Sequence, residues 1–568
     1  MESKPMILKK KPALALTLGA SIALIVGGGL AYWFLTNRRL SSGDLPVGVT
    51  VVPQNALMTL SFSTDEAKWE QLQSLGTSET QTILTENLTN LRDRLLIENG
   101  YDYEEDIQPW VGDEVTVAFL SPSASPSEDA PDADTPADPS GEQQDAIWIL
   151  PIADPIQAQE SLTGEETDAD EATTRDYNGL EIREFSGESG QGYAATVIDR
   201  QFLVVSDAPT AIEQVIDTFK GQDSVAQVPG YRQALRQLTV ADPFLQTYVN
   251  VPVASQIAAN NNQPIPSQGL APLQNNQGFA ATVLLGEDGV EIQGIAWLNP
   301  DSAATYEARN AARRMPELLP AETLTMASGG NLQQLWQNYS ERGDTTSGGP
   351  FSPNNLRAGL QAATGLNMDD DLIAWMDGEF ALALAPTAGE AAEGGGVGVL
   401  FMVQASDRTA AEETLATLDD VMESRYRFQV NETEIGGANV VQWTQPLAGL
   451  TLTRGWLAND VTFLAFGPIA DRFLPEPNTA LDENSLFQQA TASELEPNNG
   501  HFFVNLEAMN NADTNVPLPS LPPNNQAFVE AIRAIGVTSA IENEYSTRYD
   551  ISVILKTSAE SEPSDSPN

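Results

Sequence analysis

Two residue types with distinctive chemistry are almost missing from this chain of 568 residues. It contains no cysteine and one histidine, His501. The absence of cysteine excludes disulfides, thiolate metal ligands and cysteine nucleophiles. A single histidine excludes any metal site built on two histidines. The sequence also lacks a Gly-x-Ser-x-Gly elbow, a Walker loop and a dinucleotide-binding fingerprint, so the common signatures of catalysis by those routes are absent.

Basic residues are scarce as well. Lysine and arginine together number 28 against 79 aspartates and glutamates, which gives a formal net charge of −51. Residues 1–40 hold six basic residues and one acid, so the remainder carries 22 against 78, or −56. Such a chain repels phosphates, and no nucleic-acid partner is expected. The acidity fits either solubility in a salty medium or the binding of cations or a basic partner.

The longest predominantly apolar run is residues 13–35, which contain no charge. About 20 such residues suffice for a helix to cross a bilayer core of about 30 Å, so we expect a transmembrane helix with lipid as its partner. Four lysines precede the run and two arginines follow it, which favours a cytoplasmic N-terminus. The expected location is a single-pass membrane protein whose bulk is periplasmic or luminal. A cleaved signal peptide is the alternative, although no small-x-small cleavage site appears between Trp33 and Ser42.

The rest of the sequence contains an internal duplication. Residues 100–119 align with residues 365–384 without a gap, and collinear matches continue on both sides with small changes of shift. The paired residues include Pro53 with Pro320, Trp69 with Trp336, Trp110 with Trp375, Glu114 with Glu379, Asp154 with Asp407, Pro209 with Pro468, and Asn250 with Asn505. Matches in one order over some 200 residues indicate duplication rather than coincidence.

Each copy alternates short strands with helices, which predicts α+β structure on mainly antiparallel sheets. Leucine and isoleucine at helical spacing predict a helix over residues 80–97. A Glu-Asp-Gly turn predicts a hairpin of strands at 279–286 and 289–298. The predicted fold class is one N-terminal transmembrane helix followed by two tandem, internally duplicated α+β domains. The predicted segments are a cytoplasmic N-terminus (1–12), the helix (13–35), a linker (36–45), a first repeat (46–300) with a disordered acidic loop (121–144), a second repeat (301–557) and a disordered tail (558–568).

The chain resembles a known family in three features: the apolar run, the internal duplication and two similar sequence patches. The patches are Trp110-Val-Gly-Asp-Glu114 and Trp375-Met-Asp-Gly-Glu379. From about residue 45 onward, the chain resembles a cyanobacterial family of membrane-anchored proteins that carry domain of unknown function 3352. This resemblance implies no activity, no cofactor and no site residues.

Glu114 and Glu379 are the candidate catalytic residues, because each begins a predicted strand at the same place in its copy. Two carboxylates facing each other across a cleft are what glycoside hydrolysis requires. The alternative is that both are structural acids beside turns. His501 is a weaker candidate, because the duplication places Gln246 at the matching position and glutamine cannot transfer protons.

Asp369, Asp370 and Asp371 are the candidate metal ligands, because three adjacent carboxylates suit a hard cation such as Ca²⁺. Ca²⁺ takes about six to eight oxygens, however, and no Asp-x-Asp-x-Asp-Gly loop with a distal glutamate is present. The alternative is a polar turn or helix cap. The repeated tryptophans suit either a buried core or a surface platform for sugar or peptide.

The missing catalytic signatures and the two similar units favour a non-enzymatic module for binding, scaffolding or envelope assembly, with a protein partner and no cofactor. Two alternatives stay open. One is a carboxylate-dependent hydrolase of envelope polymer that uses Glu114 or Glu379. The other is a cation-responsive sensor that uses the acidic surface.

Overall fold

Twenty strands of the described residues form one antiparallel β-sheet. We call residues 46–300 the first half and residues 301–557 the second half, and each half supplies ten strands. This computed structural model describes residues 45–557 except 96–101, 121–144, 163–172, 186–191, 239, 261–275, 301–304, 307–309, 344–351, 388–395, 446, 448, 459 and 511–522.

The first half contains β1 to β10. Their bounds are β1 (Met58–Ser63), β2 (Glu114–Phe119), β3 (Ala146–Pro151), β4 (Thr173–Tyr177), β5 (Leu180–Phe185), β6 (Tyr193–Ile198), β7 (Phe202–Ser206), β8 (Leu245–Asn250), β9 (Asn276–Leu285) and β10 (Gly289–Leu298). Successive pairings give the spatial order β4-β5-β6-β7-β3-β2-β1-β8-β9-β10.

The second half contains β11 to β20 in the same arrangement. Their bounds are β11 (Thr325–Gly329), β12 (Phe380–Pro386), β13 (Val397–Gln404), β14 (Gln429–Ile435), β15 (Ala438–Gln445), β16 (Leu450–Leu457), β17 (Val461–Phe466), β18 (Gly500–Asn505), β19 (Ile532–Asn543) and β20 (Ser546–Leu555). The spatial order is β14-β15-β16-β17-β13-β12-β11-β18-β19-β20. Each strand therefore occupies the place of the strand numbered ten lower.

The two halves meet where β10 pairs with β20, and we call this junction the seam. The pairing is antiparallel and runs from Gly289 opposite Ile554 to Trp297 opposite Ser546. It corrects the predicted fold class, because two tandem domains on separate sheets are replaced by one continuous sheet. The physical reason is that an unpaired strand edge leaves its N–H and C=O groups without partners, and two long edges satisfy each other.

Thirteen α-helices of the described residues connect or cover the strands. They are α1 (Glu66–Ser74), α2 (Ser78–Leu95), α3 (Pro155–Leu162), α4 (Pro209–Phe219), α5 (Tyr231–Leu235), α6 (Val251–Asn260), α7 (Met315–Leu318), α8 (Leu332–Gly343), α9 (Pro353–Thr364), α10 (Arg408–Ser424), α11 (Ser485–Ala490), α12 (Leu506–Met509) and α13 (Pro523–Ala531). Two π-helical turns, Tyr103–Ile107 and Met368–Leu372, occupy matching places in the halves.

The predicted transmembrane helix finds no support in the structure. Its residues, 13–35, lie outside the described part of the chain. No helix in the described part is long and apolar enough to cross a membrane. The longest of them, α2, has 18 residues and includes five charged ones. We therefore withdraw the helix from the fold class, and with it the predicted single-pass location. The predicted disordered loop (121–144) and tail (558–568) also lie outside the described residues.

The sheet has two faces, which we name by the side chains they carry. The inner face carries Tyr248 and Ala383, and apolar clusters cover it in both halves. The outer face carries Leu60 and Leu382. In the first half, α1, α2 and α6 cover the outer face with leucine, valine and isoleucine side chains. Cross-strand neighbours share a face, so the register assigns each strand residue to one side.

Candidate functional site

Glu114 is the first residue of β2, and 1 % of its surface is exposed. Its Oε1 accepts the N–H of Val47, which begins the short helical turn Val47–Thr50. Burial raises the pKa of Glu114 to about 7; the Val47 hydrogen bond lowers it and the charge of Asp113 raises it further. Its Oε2 is buried and has no hydrogen-bond partner among the described residues. Only one of the two carboxyl oxygens of Glu114 therefore has a hydrogen-bond partner among the described residues.

Glu379 directly precedes β12 and is 5 % exposed. Its Oε1 accepts the backbone N–H groups of Arg313, Arg314 and Met315 at 2.9, 2.9 and 3.0 Å. Its Oε2 accepts the Arg314 N–H as well, at 2.9 Å. These donors lie at the start of α7, where unpaired backbone N–H groups favour a carboxylate. Glu379 thus caps the N-terminus of α7. Glu114 caps the helical turn Val47–Thr50 in the same way, but it accepts only one backbone N–H group.

The two glutamates are far apart in the strand order of the sheet. β2 and β12 are separated in the sheet by eight strands, namely β1, β8, β9, β10, β20, β19, β18 and β11. At about 4.8 Å per strand this is about 43 Å along the sheet. Paired glycosidase carboxylates stand about 5–9.5 Å apart. Each glutamate also contacts backbone from a different segment, so the geometry does not assemble the predicted acid pair.

Asp369 has protein donors on both oxygens. Its Oδ1 accepts the Trp336 Nε1–H at 2.7 Å, and its Oδ2 accepts the Arg357 Nε–H at 2.6 Å. The Arg357 guanidinium lowers the pKa of Asp369 below its ordinary value. The carboxylate therefore ties α8 and α9 to the π-helical turn.

Asp370 and Asp371 are engaged in the same turn. The Asp371 Oδ2 accepts the backbone N–H of Asn367, and the Asp370 Oδ2 accepts the Asn367 Nδ2–H, both at 2.7 Å. Within the described residues, no three histidine or acidic side chains come together as a metal site would require. The geometry of these three aspartates is that of a capped turn, the alternative raised by the sequence.

Three of the four repeated tryptophans lie in the core, and the fourth, Trp336, is half-buried. Trp69, Trp110 and Trp375 are 1, 0 and 3 % exposed. Each donates its Nε1–H to a backbone carbonyl, those of Ser63, Asp106 and Asp371 respectively. A buried indole needs such a partner for its one polar group. Of the two interpretations, the packing role is the one that this geometry supports.

His501 lies on the inner face of β18. Burial lowers its pKa to about 4, and its Nδ1 lies 3.1 Å from the Thr538 Oγ1. The inner face also carries a buried ion pair at the seam, where Arg548 and Asp550 of β20 are joined at 3.0 Å. The Asp550 Oδ2 accepts a further hydrogen bond from Ser493 at 2.6 Å. Arg548, Asp550 and Ser493 thus satisfy one another beside the seam, all within the second half.

The outer face of the second half carries an apolar patch that the described residues cover only in part. We call ten of its residues the open face: Phe502 and Val504 of β18, Ala327 and Thr325 of β11, Leu382 and Leu384 of β12, Phe401 and Val399 of β13, and Leu464 and Phe466 of β17. None of them is charged and none is buried. Leu382, Phe466 and Phe502 are 49, 41 and 46 % exposed.

The register makes the open face continuous. Leu382 lies opposite Ala327 on one side and Phe401 on the other. Phe502 lies beyond Ala327, and Leu464 lies beyond Phe401. Strand spacing of about 4.8 Å places these five residues across about 19 Å. Contiguous exposed apolar surface of this kind usually marks an interaction site on a soluble protein.

The centre of the matching surface in the first half is buried. Leu60 and Val117 hold the places of Ala327 and Leu382, and each is 3 % exposed. Helices α2 and α6 cover them in one apolar cluster. In the second half, α12 has four residues where α6 has ten. Helix α9, the counterpart of α2, has only Pro353 among its buried residues. It lies against the π-helical turn Met368–Leu372 instead.

The open face was not predicted from the sequence, although the residue pattern of β12 indicates it. The strand reads Phe-Ala-Leu-Ala-Leu-Ala-Pro, in which alanines alternate with larger apolar residues. Ala381 and Ala383 pack on the inner face with 0 and 1 % exposure, so the leucines point outward. A strand that is apolar on both faces requires cover on both faces, or a partner on one.

The comparisons place the chain in a family. A family model described as "Protein of unknown function (DUF3352)" matches residues 16–555. The chain belongs to this family. The match spans both halves of the sheet, so the repeated strand order described above lies within the family's matched region. No curated protein matches the chain.

Solved structures of one protein, TP0453, are similar to part of the chain. Crystal form I gives 10 % identity and a TM-score of 0.25, covering 46 % of this chain and 82 % of that one. Crystal form IV gives 11 % identity and a TM-score of 0.26, covering 45 and 82 %. At this level of likeness the comparison carries no inference about fold or function.

Proposed function

We propose that this protein is a non-enzymatic binding module and that the open face is its binding surface. The observation that carries the proposal is a patch of ten uncharged residues on five adjacent strands, of which Leu382, Phe466 and Phe502 are exposed. Leu60 and Val117, at the centre of the matching surface in the first half, are buried under helices of the chain itself. Leaving such a surface in water forgoes about 25 cal/mol per Å² of apolar area. A partner that covers it recovers this free energy, which is the usual source of affinity in protein association.

Two observations weigh against the catalytic and sensor alternatives. Glu114 begins β2 and Glu379 directly precedes β12, eight strands lie between β2 and β12, and each glutamate contacts its own helical turn. The three aspartates of the π-helical turn already accept hydrogen bonds from Arg357, Trp336 and Asn367. A hydrolase needs a shared cleft, and a cation site needs carboxylate oxygens that are free to turn toward the ion.

Site-specific photocrosslinking in the native host tests the proposal. A photoreactive phenylalanine analogue replaces Phe502 in one variant and Ile156, which is 72 % exposed on α3, in a matched control. We expect the Phe502 position to yield a defined protein adduct by mass spectrometry and the Ile156 position not to yield it. The adduct should disappear when Leu382→Gln is added.

Glu114→Gln and Glu379→Gln are the variants that separate binding from catalysis. Neither side chain belongs to the open face, so both should retain the Phe502 adduct under conditions where the fold is intact. An absence of any adduct at Phe502, or equal adducts at Phe502 and Ile156, would overturn the proposal. Loss of a hydrolytic activity on substitution of either glutamate, with binding unchanged, would favour the enzyme instead.

A further inference from the structure

We infer that the occupant of the open face is a basic amphipathic α-helix of a partner protein, with aliphatic residues at positions i and i+4. This inference rests on the proposed function and names the class of partner. It is drawn from the first half, where helices of the chain itself cover the matching surface.

Helix α2 shows which side chains suit this surface. Leu84 and Leu88 of α2 are 5 and 1 % exposed and belong to the cluster that contains Leu60 and Val117. They are four residues apart, so they lie one above the other on one side of the helix. The open face presents Ala327 and Leu382 at the places of Leu60 and Val117. A helix with the same spacing would therefore find apolar contacts there.

The dimensions of the open face also suit a helix. Its five strands span about 19 Å, and its two rows of side chains stand about 7 Å apart. A helix of about 13 residues is about 19 Å long and about 10 Å wide with its side chains. One helix would thus cover both rows across all five strands.

Charge decides between a foreign helix and a second copy of this chain. The net charge of −51 makes two copies repel each other at close range, whereas it attracts a cationic partner. The open face itself has no charge, so the basic residues of the partner would lie on the side of its helix that faces away from the sheet or at its ends. Their attraction to the acidic chain would speed association and would weaken with salt.

A synthetic peptide tests the inference directly. The probe has the sequence of residues 78–95 with Glu79→Lys, Glu86→Lys and Asp93→Lys, and it carries a fluorophore for anisotropy measurements with the full chain. We expect saturable binding that weakens at least ten-fold in the protein variant Leu382→Gln/Phe502→Gln. The variant Ile156→Gln is the matched control and should bind like the wild type. All three proteins should show nearly the same melting temperature, because Leu382 and Phe502 are about half exposed and Ile156 is more exposed still.

A second peptide removes the apolar contacts and keeps the charge. It carries the same lysines together with Leu84→Gln and Leu88→Gln, and we expect it to bind at least ten-fold more weakly. Equal binding of both peptides, or binding unaffected by Leu382→Gln/Phe502→Gln, would overturn the inference, because attraction to the acidic surface would then explain it. A Phe502 crosslink to a second copy of the chain would also overturn it. A crosslink to another protein without peptide binding would overturn the helix and leave the proposed function standing.

Discussion

Glu114 and Glu379 hold the same place in the two halves, yet their surroundings differ. Glu379 accepts four backbone hydrogen bonds at the start of α7. Glu114 accepts one, and its second oxygen is buried without a partner among the described residues. Burial costs a carboxylate more free energy when fewer donors replace the lost water. The first half therefore contains an acid whose charge destabilises the fold.

The pH dependence of unfolding tests this difference. Folding raises the pKa of Glu114 from 4.5 to about 7, so the folded state binds more protons between these values. Ionisation of Glu114 therefore destabilises the fold progressively as pH rises from about 4.5 to about 7. This destabilisation is complete above pH 7 and absent below about pH 4.5. The full effect is about 3 kcal/mol. We expect Glu114→Gln to raise the free energy of unfolding by about 1–3 kcal/mol at pH 8 and by less at pH 5.5, in urea titrations.

Glu379→Gln is the matched control for that experiment. An amide in place of the carboxylate turns one acceptor into a donor that faces the Arg314 N–H, so this variant should lose about 1–3 kcal/mol. A gain in stability from Glu379→Gln, or an equal gain from Glu114→Gln at pH 5.5 and pH 8, would contradict our account of the two sites.

At the scale of elements, strand β20 carries a buried ion pair beside the seam. Arg548 and Asp550 of β20 have side chains that are 6 and 11 % exposed. They lie opposite Ile295 and Gln293 of β10. A buried ion pair contributes little in comparison with apolar residues of the same size, but the loss of one partner leaves a charge without compensation.

A double-mutant cycle at the seam tests this point. Arg548→Met should destabilise the protein by about 3–5 kcal/mol, because Asp550 would keep only its bond from Ser493. Adding Asp550→Leu should restore most of that loss. The measurement is the urea midpoint of both single variants and of the double variant. Additive losses in the double variant would mean that the two side chains act independently.

At the scale of the whole molecule, both halves depend on one sheet. β10 and β20 are each paired on both sides, β10 with β9 and β20, and β20 with β19 and β10. Separating the halves would therefore expose two long strand edges and the buried side chains beside them. We therefore expect the two halves to unfold together rather than separately.

Calorimetry tests that cooperativity. Leu88 in the first half and Phe503 in the second are 1 and 0 % exposed, so each alanine substitution should cost about 2–5 kcal/mol. We expect one unfolding transition in the wild type, and we expect Leu88→Ala and Phe503→Ala each to lower the temperature of the whole transition. Two transitions, with each variant shifting only one of them, would mean that the halves unfold as separate units.

Local elements of the fold were predictable from the sequence, because short-range patterns encode them. The hairpin predicted at 279–286 and 289–298 matches β9 and β10, since alternation and a glycine turn act over a few residues. The helix predicted over residues 80–97 matches α2 to within two residues at each end. The predicted fold class was wrong, because the alternation of apolar and polar residues in β10 does not specify which distant strand will pair with it.

The candidate site was less predictable than the elements. Glu114 and Glu379 were selected as matching acids, and their burial against Val47 and against the start of α7 depends on segments more than 60 residues away in the chain. The leucines of β12 were visible in the sequence, but their exposure depends on where α9 packs.

The sequence by itself determined the strongly acidic charge, the exclusion of cysteine chemistry and the local strands and helices, because these depend on composition and on neighbours within a few residues. Only the tertiary structure decided that β10 pairs with β20 and that, among the described residues, the centre of the open face has less cover than its counterpart in the first half. Both outcomes depend on competition between distant segments for the same edge or the same apolar surface, and that competition is resolved only when the whole chain is packed.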